Sequence, residues 1–208
     1  MSWNKISVWQ YQQMHPLMTN PPEDITEFEL ECKLVSIVNN LTENQVLNLP
    51  KEKLNKYRSE IIFLKDNYQG SPVNRIKVNG NYYRFIQDAK DINASRYIES
   101  KYFCKELIPN LHKIAASVTI PQQRKWLKFV DLPYDSDKHQ EYANEFLYAN
   151  FKDVYYSVVF FYQVFNDWTP ITQDFLEMSL LKGGIQTEIA QKVAAILWST
   201  LGGNTAPK

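Results

Sequence analysis

The chain has 208 residues, 44% of them hydrophobic, and 23 basic and 23 acidic side chains cancel to no net charge. That length suits one domain, or one domain with an elaborated end, and that apolar content excludes a disordered chain. The two cysteines, Cys32 and Cys104, sit in unrelated segments without a CxxC, which argues against a disulfide framework or a zinc site.

The neutral total hides a segregation. Residues 1–50 carry 2 basic and 6 acidic side chains, residues 51–130 carry 16 and 7, and residues 131–208 carry 5 and 10. Folding can bring these segments together and neutralise them, or the basic middle can form a face that meets an acidic neighbour or nucleic acid. The 13 Tyr, 11 Phe and 5 Trp pose the same choice between core and interface. The first ten residues lack the apolar run of a signal peptide, and no stretch reaches the roughly 18 apolar residues of a membrane helix. A cytosolic protein is expected.

In chain order, Ser7 caps a short helix expected to stop near Pro16. Thr26 with Glu29 forms a capping box, opening a helix with Leu30, Leu34, Ile37, Val38 and Leu41 on one face. Thr42 with Gln45 forms a second capping box, opening a short helix that ends near Leu49. Pro50 starts the next helix, striped by Leu54, Tyr57, Ile61 and Leu64. The period then changes. Asn79-Gly80 between Arg75–Val78 and Tyr82–Ile86 predicts a tight hairpin, because both central residues of a type I′ turn need positive φ. Ile76, Val78, Tyr83 and Phe85 should face the helices, leaving Arg75, Lys77 and Arg84 outward.

Asn93 caps a helix marked by Tyr97, Ile98, Lys101 and Tyr102, and Pro109 starts one carrying Leu111, Ile114, Ala115 and Val118. The proline-punctuated stretch Pro121 to Ser136 reads as a loop, and Asp137 to Tyr148 as a helix with Tyr142, Phe146 and Leu147 inward. Val154 to Phe165 fits strand by composition and helix by length and setting, and helix is preferred. Thr172–Lys182 and Ile185–Leu201 read as two further helices. The expected fold is α+β and predominantly α-helical, with one β-hairpin at about residues 75–87 packed on helices. Residues 1–165 form the domain, and residues 166–208 a C-terminal helical pair with a short tail.

Catalytic signals are sparse. The sequence lacks GxGxxG, GxxxxGK[ST], GxSxG and HExxH. Asp135-Ser136-Asp137-Lys138-His139 has metal-like spacing but sits where a helix cap is expected, and the cap is preferred. Cys104 with His112, and Asp88 with Asp91, read as a buried thiol and as turn residues rather than as catalytic pairs. No catalytic residue, metal or cofactor is expected. Partner contact falls instead on Arg75, Lys77 and Arg84 of the hairpin and on Arg124, Lys125 and Trp126 beyond it. Tyr82, Tyr83 and Phe85 interleave with the hairpin cations, a pattern that also suits stacked bases and phosphates.

The order of pieces carries a resemblance. Lys5-Ile6-Ser7-Val8-Trp9-Gln10-Tyr11-Gln12 is similar to the start of structural-cassette proteins of Bacteroidetes-infecting phages. It is followed by Leu41-Thr42-Glu43-Asn44-Gln45-Val46, by the basic hairpin ending Tyr83-Arg84-Phe85-Ile86, by Arg96-Tyr97-Ile98, and by Asn110-Leu111-His112-Lys113-Ile114-Ala115-Ala116 before Pro121. Over roughly residues 1–165 the layout resembles the tail-assembly-chaperone-like group and crAss-like phage proteins of head–tail clusters. The resemblance implies a non-enzymatic structural or assembly protein of the tail or head–tail connector, present in the bacterial host cytoplasm during assembly or in the virion. It implies contacts with copies of itself, including rings, or with other phage head–tail proteins. It brings no active site to carry over. The alternative is a nucleic-acid-binding accessory protein using the basic hairpin.

Overall fold

A computed structural model of the chain describes residues 2–88, 91–126 and 128–164. The chain opens with four helices, α1 (Val8–Thr19), α2 (Glu27–Asn39), α3 (Glu43–Leu47) and α4 (Lys51–Glu60), before the first strand of the sheet, β1 (Arg75–Val78). Then come β2 (Asn81–Phe85), α5 (Ala94–Phe103), α6 (Leu111–Ser117), β3 (Thr119–Lys125), β4 (Lys128–Asp131), α7 (His139–Phe146) and a helix α8 over 151–164. The fold is α+β and mostly helical. The expected helices at 172–182 and 185–201, with the whole segment 166–208, lie outside the described residues.

Side chains open the first three helices. Ser7 with Gln10, Thr26 with Glu29 and Thr42 with Gln45 each form a complete capping box. Helix α1 does not stop near Pro16. It runs on to Thr19, because a proline forfeits only its own N–H: Asn20 N–H donates to Pro16 O at 2.9 Å, and the Thr19 hydroxyl donates to His15 O at 2.8 Å. Helix α2 buries Cys32, Leu34, Val35 and Val38, with Leu30, Ile37 and Leu41 at its margin. Helix α5 departs from its expected stripe: Ile98 and Tyr102 are exposed, whereas Arg96, Tyr97 and Ser100 are buried.

Much of the aromatic load is core. Tyr11 stacks on Phe151 at 3.6 Å, and Trp3 meets Phe63 and Tyr68 edge-on at 5.3 and 5.2 Å. Ser7 bridges Asn150, and Phe151 N–H donates to Ile6 O at 2.9 Å, which ties the start of the chain to the α7–α8 joint. The segment Val154 onward is helical as far as residue 164, and Val154, Val158 and Phe161 are buried.

The predicted hairpin forms, with Asn79 at φ 49° and Gly80 at φ 91°, but it is half of a larger sheet. The four strands form an antiparallel meander in the order β1-β2-β3-β4. The stretch Pro121–Ser136, expected to be a loop, begins with most of β3 and all of β4. Pro121 is tolerated because its nitrogen faces away from β2: its carbonyl accepts Leu132 N–H at 2.8 Å, just past the end of β4, so no β2–β3 ladder bond is lost. The inner face (Ile76, Val78, Tyr83 and Phe85) packs on α7, where Phe146 lies 4.9 Å from the Tyr83 ring and 6.4 Å from that of Phe85. Glu145 adds a clamp, accepting from the Tyr83 hydroxyl at 2.7 Å and the Asn81 amide at 2.8 Å.

Two bases stand out, one half-buried and one fully buried. Gln12 Nε2 lies 3.0 Å from His112 Nδ1, and burial pushes the His112 imidazole from 6.5 down to about 4, helped by Lys113 and His139. The native state therefore refuses a proton that the unfolded chain accepts below pH 6.5, so stability is full above that pH and falls as pH drops toward 4. With allowance for solvent screening, the loss should be about 1–2 kcal/mol, and it should flatten in His112→Gln when unfolding is followed across this range. Arg96 is the second base. Its guanidinium lies 3.9 Å over the Tyr134 ring, and Nε and Nη2 find no acceptor among the described residues. Burial lowers its pKa. A buried cation with two unsatisfied nitrogens costs stability, so Arg96→Met should stabilise the fold by about 1 kcal/mol, read as a higher denaturant midpoint. A loss of stability in that variant would show that the cation is compensated.

Candidate functional site

Strand alternation places Arg75 and Lys77 of β1, Tyr82 and Arg84 of β2, Ile120, Gln122 and Arg124 of β3, and Phe129 and Asp131 of β4 on the outer face. The six residues singled out for partner contact therefore converge. Arg75, Lys77, Arg84 and Arg124 share this face, and Lys125 and Trp126 sit at the β3–β4 turn at its rim.

The face is a connected network rather than an array of independent cations. Arg84 bridges two carboxylates, Asp131 at 2.6 Å and Asp91 at 3.0 Å. Asp131 also accepts from Gln122 Nε2 at 2.5 Å, and Gln122 Oε1 in turn accepts from Arg75 Nε at 2.5 Å. The Arg75 guanidinium lies 3.8 Å over the Phe129 ring, and Phe129 meets Tyr82 edge-on at 4.9 Å. Lys77 Nζ sits 5.3 Å over Tyr82. Hydrogen bonding from Arg84 holds the Asp131 carboxyl below its ordinary value, and Arg124 does the same to the Tyr82 hydroxyl. Arg84, expected to point freely outward, is thus tied down by residues of the supposed loop and of the β2–α5 connection. The hairpin is not left with two open edges: β3 pairs with β2, and β1 and β4 are the edges of the sheet.

The turn differs from the face. Trp126 is 96% exposed and its backbone is left-handed, at φ 52°. Lys125 pairs with Lys128 beneath it, and these two and Arg124 are exposed. Among the described residues, Lys77, Lys125 and Lys128 stand in no ion pair.

Elsewhere, Asp135 Oδ1 accepts Asp137 N–H at 3.1 Å, the cap expected of that cluster, while the His139 ring turns inward toward Ser117 Oγ at 3.0 Å and stacks on Phe103. No group of three or more His, Cys, Asp or Glu among the described residues is placed to hold a metal ion. His112 faces Gln12 while Cys104 lies beside Tyr162, and Asp91 is the ion-pair partner of Arg84. No helix among the described residues is long and apolar enough to cross a membrane. Sequence reasoning missed Gln122, Phe129 and Asp131, which lay in a stretch without apolar alternation. No protein-family model, curated protein or solved structure matches this chain.

Proposed function

We propose that this chain is a non-enzymatic bacteriophage assembly protein that works by protein–protein contacts in the tail or head–tail connector. Its docking surface is the outer face of the sheet with the Trp126 turn. The observation that carries the reading is the convergence, on one face and its rim, of stacked cations and a nearly fully exposed tryptophan. Tryptophan and arginine are the side chains that dominate protein interfaces. The setting comes from the resemblance of residues 1–165 to phage tail-assembly proteins.

The same cations and rings also suit a nucleic-acid strand. The carboxylates weigh against it. Asp131 lies on the face itself, and Arg84 is committed to two acids, so a phosphate backbone would meet negative charge at the centre of the surface. The test is light scattering of the chain alone and mixed with neighbouring tail and head–tail proteins, before and after nuclease. Self-association or a complex that survives nuclease is expected, weakening as salt rises. A chain that stays monomeric and ignores every virion protein, or whose only bound material disappears with nuclease, overturns the reading.

A further inference from the structure

We infer that the β3–β4 turn of one copy docks into the acidic pocket between α2 and α3 of a second copy, with the Trp126 indole as anchor. This rests on the proposed docking surface and names its partner.

Neither backbone preference nor packing among the described residues accounts for Trp126. The left-handed region suits Gly or Asn, and the β1–β2 turn uses exactly that pair. The β3–β4 turn instead puts the bulkiest side chain at a left-handed position and leaves it 96% exposed. A partner supplies the missing burial. Arg124, Lys125 and Lys128 flank Trp126 along the turn and are exposed, so a receptor that combines an apolar floor with an acidic rim would match it.

The chain carries such a receptor. A pocket of about 520 Å³ opens where α2 and α3 begin, within the range of small-ligand and anchor sites. Ile25, Cys32 and Leu47 supply its apolar lining, and Asp24, Glu29 and Glu43 its acids. Leu47 is 59% exposed. The lone cation, Lys33, is paired with Glu43 at 3.4 Å, which leaves a negative excess against the three cations of the turn. The pocket lies in the acidic first fifty residues and the turn in the basic middle, so the contact would join segments of opposite charge. Turn and pocket are different surfaces of the same chain. The contact is head-to-tail and repeats into a ring or an open filament.

The test is sedimentation velocity on the full chain and two variants. Trp126→Asn removes the anchor with a residue that accepts the left-handed backbone, and Leu47→Lys blocks the pocket at an exposed site. Each variant alone should self-associate at least about 30-fold more weakly than the parent, the effect of losing an interface anchor. An equimolar mixture should form a one-to-one heterodimer and stop, because one intact turn meets one intact pocket. A monomeric parent, impairment of only one variant, or a mixture behaving as the sum of its parts overturns the inference. The proposed function fails separately. A monomeric parent that binds a tail protein, and loses it on Trp126→Asn, keeps the docking surface but assigns it a different partner; a chain that binds nothing loses both.

Discussion

Phe146→Ala is expected to cost about 3–5 kcal/mol, a large share of the 5–15 kcal/mol by which a domain of this kind is stable. Phe146 closes α7 and is fully buried, and it is the plug between that helix and the inner face of the sheet. Removing it leaves a void beside Tyr83 and Phe85, whose rings it touches at 4.9 and 6.4 Å. The neighbouring Glu145 carboxylate, which holds Tyr83 and Asn81, loses the support that fixes its helix. The sheet should loosen as a unit, so the outer face loses its geometry although no outer residue has changed. Urea unfolding should show a lower midpoint at similar slope, whereas Phe146→Leu, which keeps most of the volume, should cost less than about 1.5 kcal/mol. A cost under about 1 kcal/mol for Phe146→Ala would mean that α7 does not hold the sheet.

The parts legible in the sequence are those decided within a few residues. Thr26–Glu29 and Thr42–Gln45 satisfy free helix N–H groups by side chains three positions apart, and Asn79-Gly80 supplies two left-handed residues where a tight turn needs them. The β3–β4 half of the sheet was not legible because its stability comes from elsewhere. β3 is held by pairing to β2 across two intervening helices, and β4 is exposed along nearly its whole length, so neither shows the apolar alternation that marks a half-buried strand. Pro121 further disguised β3. Helix α5 misled for another reason: it buries Arg96 and Ser100, polar residues that a hydrophobic stripe cannot report. On the outer face of the sheet the cations were legible as residue types, but Asp131 and Gln122, which bind them together, were hidden in the supposed loop.

That network separates two charge reversals that the sequence alone would treat alike. Arg84→Glu should cost about 2–3 kcal/mol, because the Arg84 side chain is only 22% exposed and its loss sets a third carboxylate against Asp91 and Asp131. The estimate stays below that of a fully buried pair because the Asp131 side chain is itself 42% exposed. Asp131 sits below its ordinary pKa of 3.8 mainly through Arg84, so its contribution is present above the unfolded value and is lost as pH falls through the folded one. The gap between parent and Arg84→Glu should therefore narrow below about pH 4, and adding Asp131→Arg should recover much of it at pH 7. Failed assembly by Arg84→Glu would thus report a damaged sheet as readily as a lost contact. Lys77→Glu is the clean probe. Lys77 is exposed on the edge strand, rests over Tyr82 and stands in no ion pair among the described residues, so reversing it should change stability by no more than about 0.5 kcal/mol. It should nevertheless weaken association at low salt, through repulsion from an acidic partner, and the difference should fade at high salt as the charges are screened. If Lys77→Glu folds and associates like the parent at low salt, the β1 side of the outer face is not in the contact, and docking is confined to the Trp126 turn.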